Sequence, residues 1–238
     1  MLTHERNKRA TETGPGTPTG NLFRRYWIPF LLSEEVAEKD GAPVRVKLLS
    51  EHLLAFRDSD GNLGLIEEFC AHRHVSLWFG RNEEGGIRCP YHGWKYDVTG
   101  QCTEIPSEPP ESHFCAEIGL TSYPCVERGG IIWAYMGPPE EQPPPPAFEW
   151  ATVPANQRYH SKRFEECNYL QALEGGIDSS HVAFLHSSEL RSDPLHHGSK
   201  GSDYHLSDLA PKFEVVESPG GLNIGVRRNA GGENYYWR

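Results

Sequence analysis

Two short strings constrain this chain more than any other feature: Cys70-Ala71-His72 and Cys89-Pro90-Tyr91-His92, sixteen residues apart. Each half offers one thiolate and one imidazole from a tight loop, so the fold has to hold two such loops around one site. Soft thiolates suit the ferric side of an iron–sulfur cluster, and imidazole suits its second iron. Pro90 stiffens one loop, while Gly93 has no Cβ and lets backbone amides approach inorganic sulfide. A structural zinc ion is the competing occupant. Zinc fingers, however, usually pair Cys with Cys and then His with His, whereas here each half is Cys followed by His. Four unrelated residues are the remaining reading, and the hairpin-like block Gly86-Ile87-Arg88-Cys89-Pro90-Tyr91-His92-Gly93-Trp94 weighs against it.

A second constellation is Asp178-Ser179-Ser180-His181 followed by His186. Two histidines and a carboxylate form the facial triad that leaves positions on Fe(II) open for oxygen and substrate. An isolated pair of histidines five apart is more often structural or superficial. The weighing changes with Gln171, Glu174 and Asp178 spaced by three or four, and with the cysteine–histidine strings upstream. On a regular helix, residues five apart sit roughly 140° round the axis. His181 and His186 therefore require a π-bulge, or a helix end between them, to share a site. Asp178, three residues before His181, shares its face.

The rest of the sequence supplies the setting. With 238 residues the chain affords one large domain or two modest ones. No run of eighteen apolar residues occurs, and the polar start, Met1 to Arg9, lacks the apolar stretch of a signal peptide. A net charge of −10 argues against nucleic acid and anionic membrane as partners. Four further cysteines (Cys102, Cys115, Cys125, Cys167) make no secretory framework, which points to reduced thiols in the cytoplasm.

Residues 1–40 read as an N-terminal arm with short helices. Gly14 to Gly20 is expected to be irregular, and Asn21 to Trp27 helical. Residues 41–140 read as an all-β module, with strands at Val44–Leu49, Leu53–Phe56, Leu63–Ile66, Ile87–Cys89, Lys95–Asp97 and Ile131–Tyr135. Asp58-Ser59-Asp60-Gly61-Asn62 reads as a hairpin turn. The prolines of 138–146 suggest a stiff connector. Residues 141–238 then read as a strand over Tyr159–Glu165, a helix from Tyr169 to about Leu185, and strands at Phe213–Val216, Leu222–Arg228 and Asn234–Arg238. One or two strands and a helix do not bury enough apolar surface to stand alone, and the end of a strand at Arg238 is an odd place for a domain to stop.

The paired half-motifs resemble those of the Rieske proteins, and within them the non-haem iron oxygenases. In the respiratory branch an extra cysteine in each loop forms a disulfide. Val75 and Tyr91 stand there, so the resemblance implies a cluster towards the bottom of the roughly −150 to +300 mV Rieske range. Asn168 to His186 resembles the mononuclear-iron helix of Rieske oxygenase α subunits. Gly14-Pro15-Gly16-Thr17-Pro18, Arg24-Arg25-Tyr26-Trp27, Phe79-Gly80-Arg81-Asn82-Glu83-Glu84 and Pro106-Ser107-Glu108 look like the phthalate 4,5-dioxygenase branch. Cys70-Ala71-His72 departs mildly from it, since proline commonly takes the middle position.

The resemblance implies an α+β chain: an all-β Rieske [2Fe–2S] domain, then the first part of a helix-grip catalytic domain of antiparallel sheet and helices, truncated. Cys70, His72, Cys89 and His92 would hold the cluster, and His181 and His186 the Fe(II). Asp178 would hydrogen-bond His181 on one side and a cluster histidine, His92, on the other. The family's third iron ligand is an aspartate beyond Arg238. Glu189, Asp193, Asp203 and Asp208 are more simply solvated loop residues. Family members assemble as homotrimers or hexamers, head to tail, so that one chain's cluster faces the next chain's iron.

The implied enzyme is a terminal oxygenase of aromatic catabolism. It uses O2, with NADH electrons delivered by a reductase carrying flavin and a ferredoxin-type centre, to cis-dihydroxylate an aromatic, carboxylated substrate. The close variant is mono-oxygenation, as in demethylation of aromatic ethers or amines. A Rieske ferredoxin, which only carries electrons, is the alternative of another class; it predicts no second metal string. Arg227 and Arg228 are candidates for meeting a carboxylate, with a solvated strand end the plainer reading.

Overall fold

The computed structural model describes residues 2–109, 111–192 and 200–237. The chain divides into two compact units, Met1–Phe164 and Glu165–Arg238.

Helices open the first unit. Thr3 accepts the Arg6 N–H and caps α1 (His4–Thr11). Thr17 accepts the Gly20 N–H and caps α2 (Pro18–Phe23). Pro18 occupies the first turn of α2, where its missing N–H costs nothing. The segment read as irregular therefore turns helical at Pro18, and the helix expected to reach Trp27 stops at Phe23.

The strands of this unit are β1 (Trp27–Leu32), β2 (Val44–Leu48), β3 (Glu51–Arg57), β4 (Leu63–Glu67), β5 (Arg81–Glu83), β6 (Gly86–Arg88), β7 (Lys95–Tyr96) and β8 (Cys102–Glu104). A short helix α3 (Phe114–Glu117) precedes β9 (Cys125–Arg128) and β10 (Ile131–Tyr135). They form antiparallel sheets in the orders β1-β10-β9, β2-β3-β4 and β5-β6-β7-β8. The six expected strands recur within two residues of their predicted ends. Edge strands β1, β5, β8 and β9 were not expected.

Strand β3 organises the interior. Side chains alternate between the faces of a strand. Leu53 and Ala55 enter one core with Leu31, Leu65, Ile132 and Ala134. Leu54 and Phe56 enter another with Ile66, Leu77, Ile87 and Tyr96. A strand buried on both faces reads as one apolar run rather than an alternating one. Between β3 and β4 the predicted turn forms, with Asp58 Oδ1 accepting the Asp60 and Asn62 N–H groups at 3.0 and 2.7 Å.

The proline-rich stretch lies within the first unit. Trp27 Nε1–H donates to the Pro143 carbonyl at 2.9 Å, and Phe148 packs 5.7 Å from Trp133. The strand expected over Tyr159–Glu165 is irregular. A strand needs a neighbour for its backbone groups, and none pairs with these residues among those described.

In the second unit, helices α4 (Tyr169–Ile177), α5 (Val182–Leu185), α6 (Ser187–Ser192) and α7 (Lys200–Ser207) precede an antiparallel meander of β11 (Lys212–Ser218), β12 (Gly221–Ala230) and β13 (Glu233–Trp237). The three expected strands are present; Arg238, the last expected strand residue, and Asp193 lie outside the described residues. The single helix expected from Tyr169 to Leu185 is two, because α4 ends at Ile177 and Asp178 takes extended backbone angles of −78° and 117°.

Candidate redox centre and candidate iron site

Two closed turns present the cysteine–histidine strings. After β4, Cys70 N–H donates to the Val75 carbonyl at 3.0 Å, and His74 N–H returns to the Cys70 carbonyl at 2.9 Å. Between β6 and β7, Cys89 N–H donates to the Trp94 carbonyl at 2.8 Å, and Gly93 N–H to the Cys89 carbonyl at 3.1 Å. Gly93 has a φ of +76°, which L side chains rarely adopt, and an added Cβ would lie 3.1 Å from Pro106 Cγ.

All four donors line one small cavity, together with Arg73, Val75, Tyr91 and Trp94. The two halves differ in exposure. Cys70 and Cys89 are 1% and 3% exposed, whereas His72 is half-buried and His92 is exposed. The imidazoles of His72 and His92 are 4.5 Å apart, and Trp94 stacks on His72 at 4.7 Å and 6°.

The chemistry of the donor set fits a [2Fe–2S] cluster. Burial raises the Cys89 thiol, and the neighbouring Cys70 raises it further; two buried thiolates need a cation between them. Burial, then the charges of His92 and Arg73, lower His72, which favours the neutral imidazole that ligates metal. His72 Nδ1 is buried without a hydrogen-bond partner. Among the described residues no three such side chains converge on a point sized for one ion, and a two-iron cluster asks for donors spread around a cavity instead.

Tyr96 and Trp94 are the neighbours that sequence reasoning missed. Tyr96 Oη lies 3.3 Å from Cys70 Sγ and accepts the Ala71 N–H at 3.3 Å. A buried tyrosine hydroxyl requires a partner, so an inward-facing tyrosine on the strand following the second string was the available signal.

In the second unit, Asn168 caps α4 by accepting the Leu170 N–H at 3.0 Å. The helix ends just after Gly175-Gly176, both poor helix formers. Asp178 then organises the next turn of the chain. Its carboxylate accepts the Ser180 N–H at 2.8 Å and the His181 N–H at 3.2 Å, and lies 2.9 Å from His181 Nδ1. These bonds, the Ser180 amide first, hold Asp178 below the usual carboxylate range. His186 Nδ1 is likewise 2.9 Å from Glu189 Oε2. With each Nδ1–H donated to a carboxylate, each Nε2 keeps a lone pair for metal. The rings lie 5.4 Å apart.

The expected helix end between the two histidines is present: α5 stops at Leu185 with His186 as its C-cap, so His181 and His186 flank its single turn. A further break, at Asp178, precedes His181. Two expectations change here. Asp178 reaches His181 from an extended residue, not along a helix face. Glu189 is more than a solvated acid, since it faces His186. The third-ligand position is not filled by any acid among the described residues.

Arg228 is also not a solvated strand end. It is 1% exposed, and its Nη2 donates to the Ser179 carbonyl at 2.6 Å and the Ser179 hydroxyl at 3.0 Å. Its Nη1 donates to the Asp208 carbonyl. The guanidinium thus pins the loop between Asp178 and His181. Asp208, another acid read as solvated, accepts the Asn229 and Ala210 N–H groups at 2.7 and 3.1 Å. Beside Asp178 opens a cleft of about 450 Å³ lined by Ile177, Val182, His205 and the Leu222–Val226 stretch of β12.

Residues 26–124 match the Rieske [2Fe-2S] domain model, and residues 134–230 match the model described as LigXa C-terminal domain like. The phthalate 4,5-dioxygenase oxygenase subunit of Pseudomonas putida is 42% identical over 233 residues, 96% of this chain and 53% of that protein. The 3-chlorobenzoate-3,4-dioxygenase oxygenase subunit of Comamonas testosteroni is 40% identical over 98% of this chain and 53% of that protein. The 5,5'-dehydrodivanillate O-demethylase oxygenase subunit of a Sphingobium species is 36% identical over 84% and 48%. The chain thus spans about half the length of these curated relatives. Dicamba monooxygenase bound to 3,6-dichlorosalicylic acid has the same fold, with a TM-score of 0.63 at 24% identity over 86% of this chain and 55% of that one.

Proposed function

Because the chain belongs to the Rieske oxygenase α subunits, we propose that it forms the cluster-bearing and part of the iron-bearing portion of a terminal oxygenase acting on an aromatic, carboxylated substrate. The observation that supports this reading is the presence, in one chain, of two different donor sets. One is a thiolate–imidazole cavity; the other is a pair of histidines each oriented by a carboxylate. An electron-carrying ferredoxin has no use for the second set, and zinc has no claim on a Rieske domain.

Bound in these sites, a [2Fe–2S] cluster supplies one-electron storage and a mononuclear iron supplies O2 chemistry. Cys70, His72, Cys89 and His92 would hold the cluster, the cysteines on one iron and the histidines on the other. Trp94 holds the plane of His72. His181 and His186 would hold the mononuclear iron, and Asp178 and Glu189 fix their orientation by accepting hydrogen bonds from the Nδ1–H groups. Asp178 also serves as the link towards a cluster histidine of an adjoining subunit in a trimer or hexamer. An NADH-dependent reductase supplies the electrons. No helix among the described residues is long and apolar enough to cross a membrane, and the six cysteines are free; we place the enzyme in the cytoplasm.

The test uses the full-length protein, its reductase and NADH with a panel of aromatic acids and methyl ethers. Expected are three irons per chain, substrate-dependent O2 uptake and a cis-diol product. His181→Ala should keep the two cluster irons, lose the third and abolish product. Only two irons in the wild type, with His181→Ala changing nothing, overturns the oxygenase reading. Formaldehyde release from a methyl ether selects demethylation, the reading favoured by the likeness to the O-demethylase subunit.

A further inference from the structure

Cys102 and Cys115 belong to neither donor set, yet their sulfurs lie 3.2 Å apart. Both are free thiols. Backbone geometry sets their approach. Cys102 N–H donates to the Ile118 carbonyl at 3.0 Å, and the Gln101 side-chain amide donates to the same carbonyl at 2.9 Å. These bonds hold α3 against the start of β8. A disulfide has sulfurs about 2.04 Å apart, so closure takes about 1.2 Å of movement shared by two side chains. Cys102 is 3% exposed and Cys115 half-buried, so an oxidant arriving from solvent meets Cys115 first.

We propose that Cys102 and Cys115 are a modification site: a thiol pair that a hydroperoxide converts reversibly into a disulfide tying α3 to β8. The Cys115 sulfur attacks one peroxide oxygen and the O–O bond breaks, leaving a sulfenic acid and, for hydrogen peroxide, water. The Cys102 sulfur then attacks the Cys115 sulfur. The S–O bond breaks, and the hydroxyl leaves with the Cys102 proton as a second water. The two thiols lose two electrons and two protons, and the peroxide gains them. A dithiol reverses the bond by exchange.

The bond has a route to the redox centre. The Phe114 ring, next to Cys115, meets Trp94 edge-on at 6.0 Å, and Trp94 stacks on His72 at 4.7 Å. This coupling, unlike the disulfide itself, rests on His72 being a cluster ligand.

The test treats full-length, cluster-loaded protein with hydrogen peroxide, then alkylates and digests it. Expected is a Cys102–Cys115 cross-linked peptide lighter by two hydrogens than its two halves, lost on dithiothreitol treatment and absent from Cys115→Ser. Recovery of both thiols unlinked at unchanged cluster content overturns the proposal, as does a cross-link of either one to the exposed Cys167. Visible circular dichroism of the oxidised cluster reads the coupling. A shift between thiol and disulfide forms of the wild type, absent from Cys115→Ser, supports it; no shift overturns the coupling alone. A protein that takes up no cluster defeats the oxygenase reading instead, and the cross-link still decides this one.

Discussion

Tyr96 acts on the cluster cavity from outside either motif. Burial raises its phenol well above the ordinary range, so the hydroxyl stays protonated and can donate to Cys70 Sγ, 3.3 Å away. A hydrogen bond to a ligand sulfur favours the reduced, more negative cluster. Such a bond is worth about 1 kcal/mol. At 59 mV for each tenfold, or 1.4 kcal/mol, Tyr96→Phe should lower the one-electron potential by about 40 mV, read by a redox titration of the cluster spectrum. Arg228 works at the same scale in the second unit. Arg228→Met removes its donors to Ser179 and to the Asp208 carbonyl. Leaving buried acceptors unpaired should cost about 2 kcal/mol, read as a lower denaturant midpoint. The mononuclear iron content should fall with it, and Arg228→Lys should restore part of both.

Asp208 joins the segment after α7 to strand β12, so its charge matters to how elements hold together. The Asn229 amide and then the Ala210 amide hold its carboxyl below the usual aspartate value of about 3.9. A group depressed in the folded state stabilises fully above its unfolded value and loses that contribution as pH falls through its folded one. Thermal midpoints of the wild type should therefore fall below about pH 4, and Asp208→Asn should be lower above that pH and flatter below it. The element scale also separates what sequence carries from what it does not. The loops around Cys70 and Cys89 and the run of β3 were legible because short-range chemistry dictates them. Strand β1 was not, since it borrows its register from β10, about a hundred residues along the chain; β9 pairs locally with β10 across Gly129-Gly130, but its short mixed sequence carries no clear strand pattern. Tyr159–Glu165 has the composition of a strand but lacks such a partner among the described residues. The roles of Glu189 and Arg228 were hidden for related reasons. Glu189 depends on where α5 ends, and Arg228 meets Ser179 from 49 positions away.

For the whole molecule, the two units carry unequal shares of the buried interior. The clusters built on Leu53 to Phe56 lie entirely within the first unit, whereas β11 is exposed along its full length. A fragment of residues 1–164 should accordingly fold alone and bind two irons, checked by iron analysis and the visible spectrum after reconstitution. A fragment of residues 165–238 should show no cooperative unfolding.

The unequal exposure of cysteines and histidines around the small cavity carries one more consequence. Electron tunnelling decays exponentially with distance, so for a cluster seated there the exposed edge of His92 would be the shortest path to a redox partner in solvent. The sulfur side, beneath Cys70 and Cys89 at 1% and 3% exposure, is insulated by the packed core. A cluster held there would therefore meet solvent on its histidine side, at exposed His92 and half-buried His72, and not on its sulfur side.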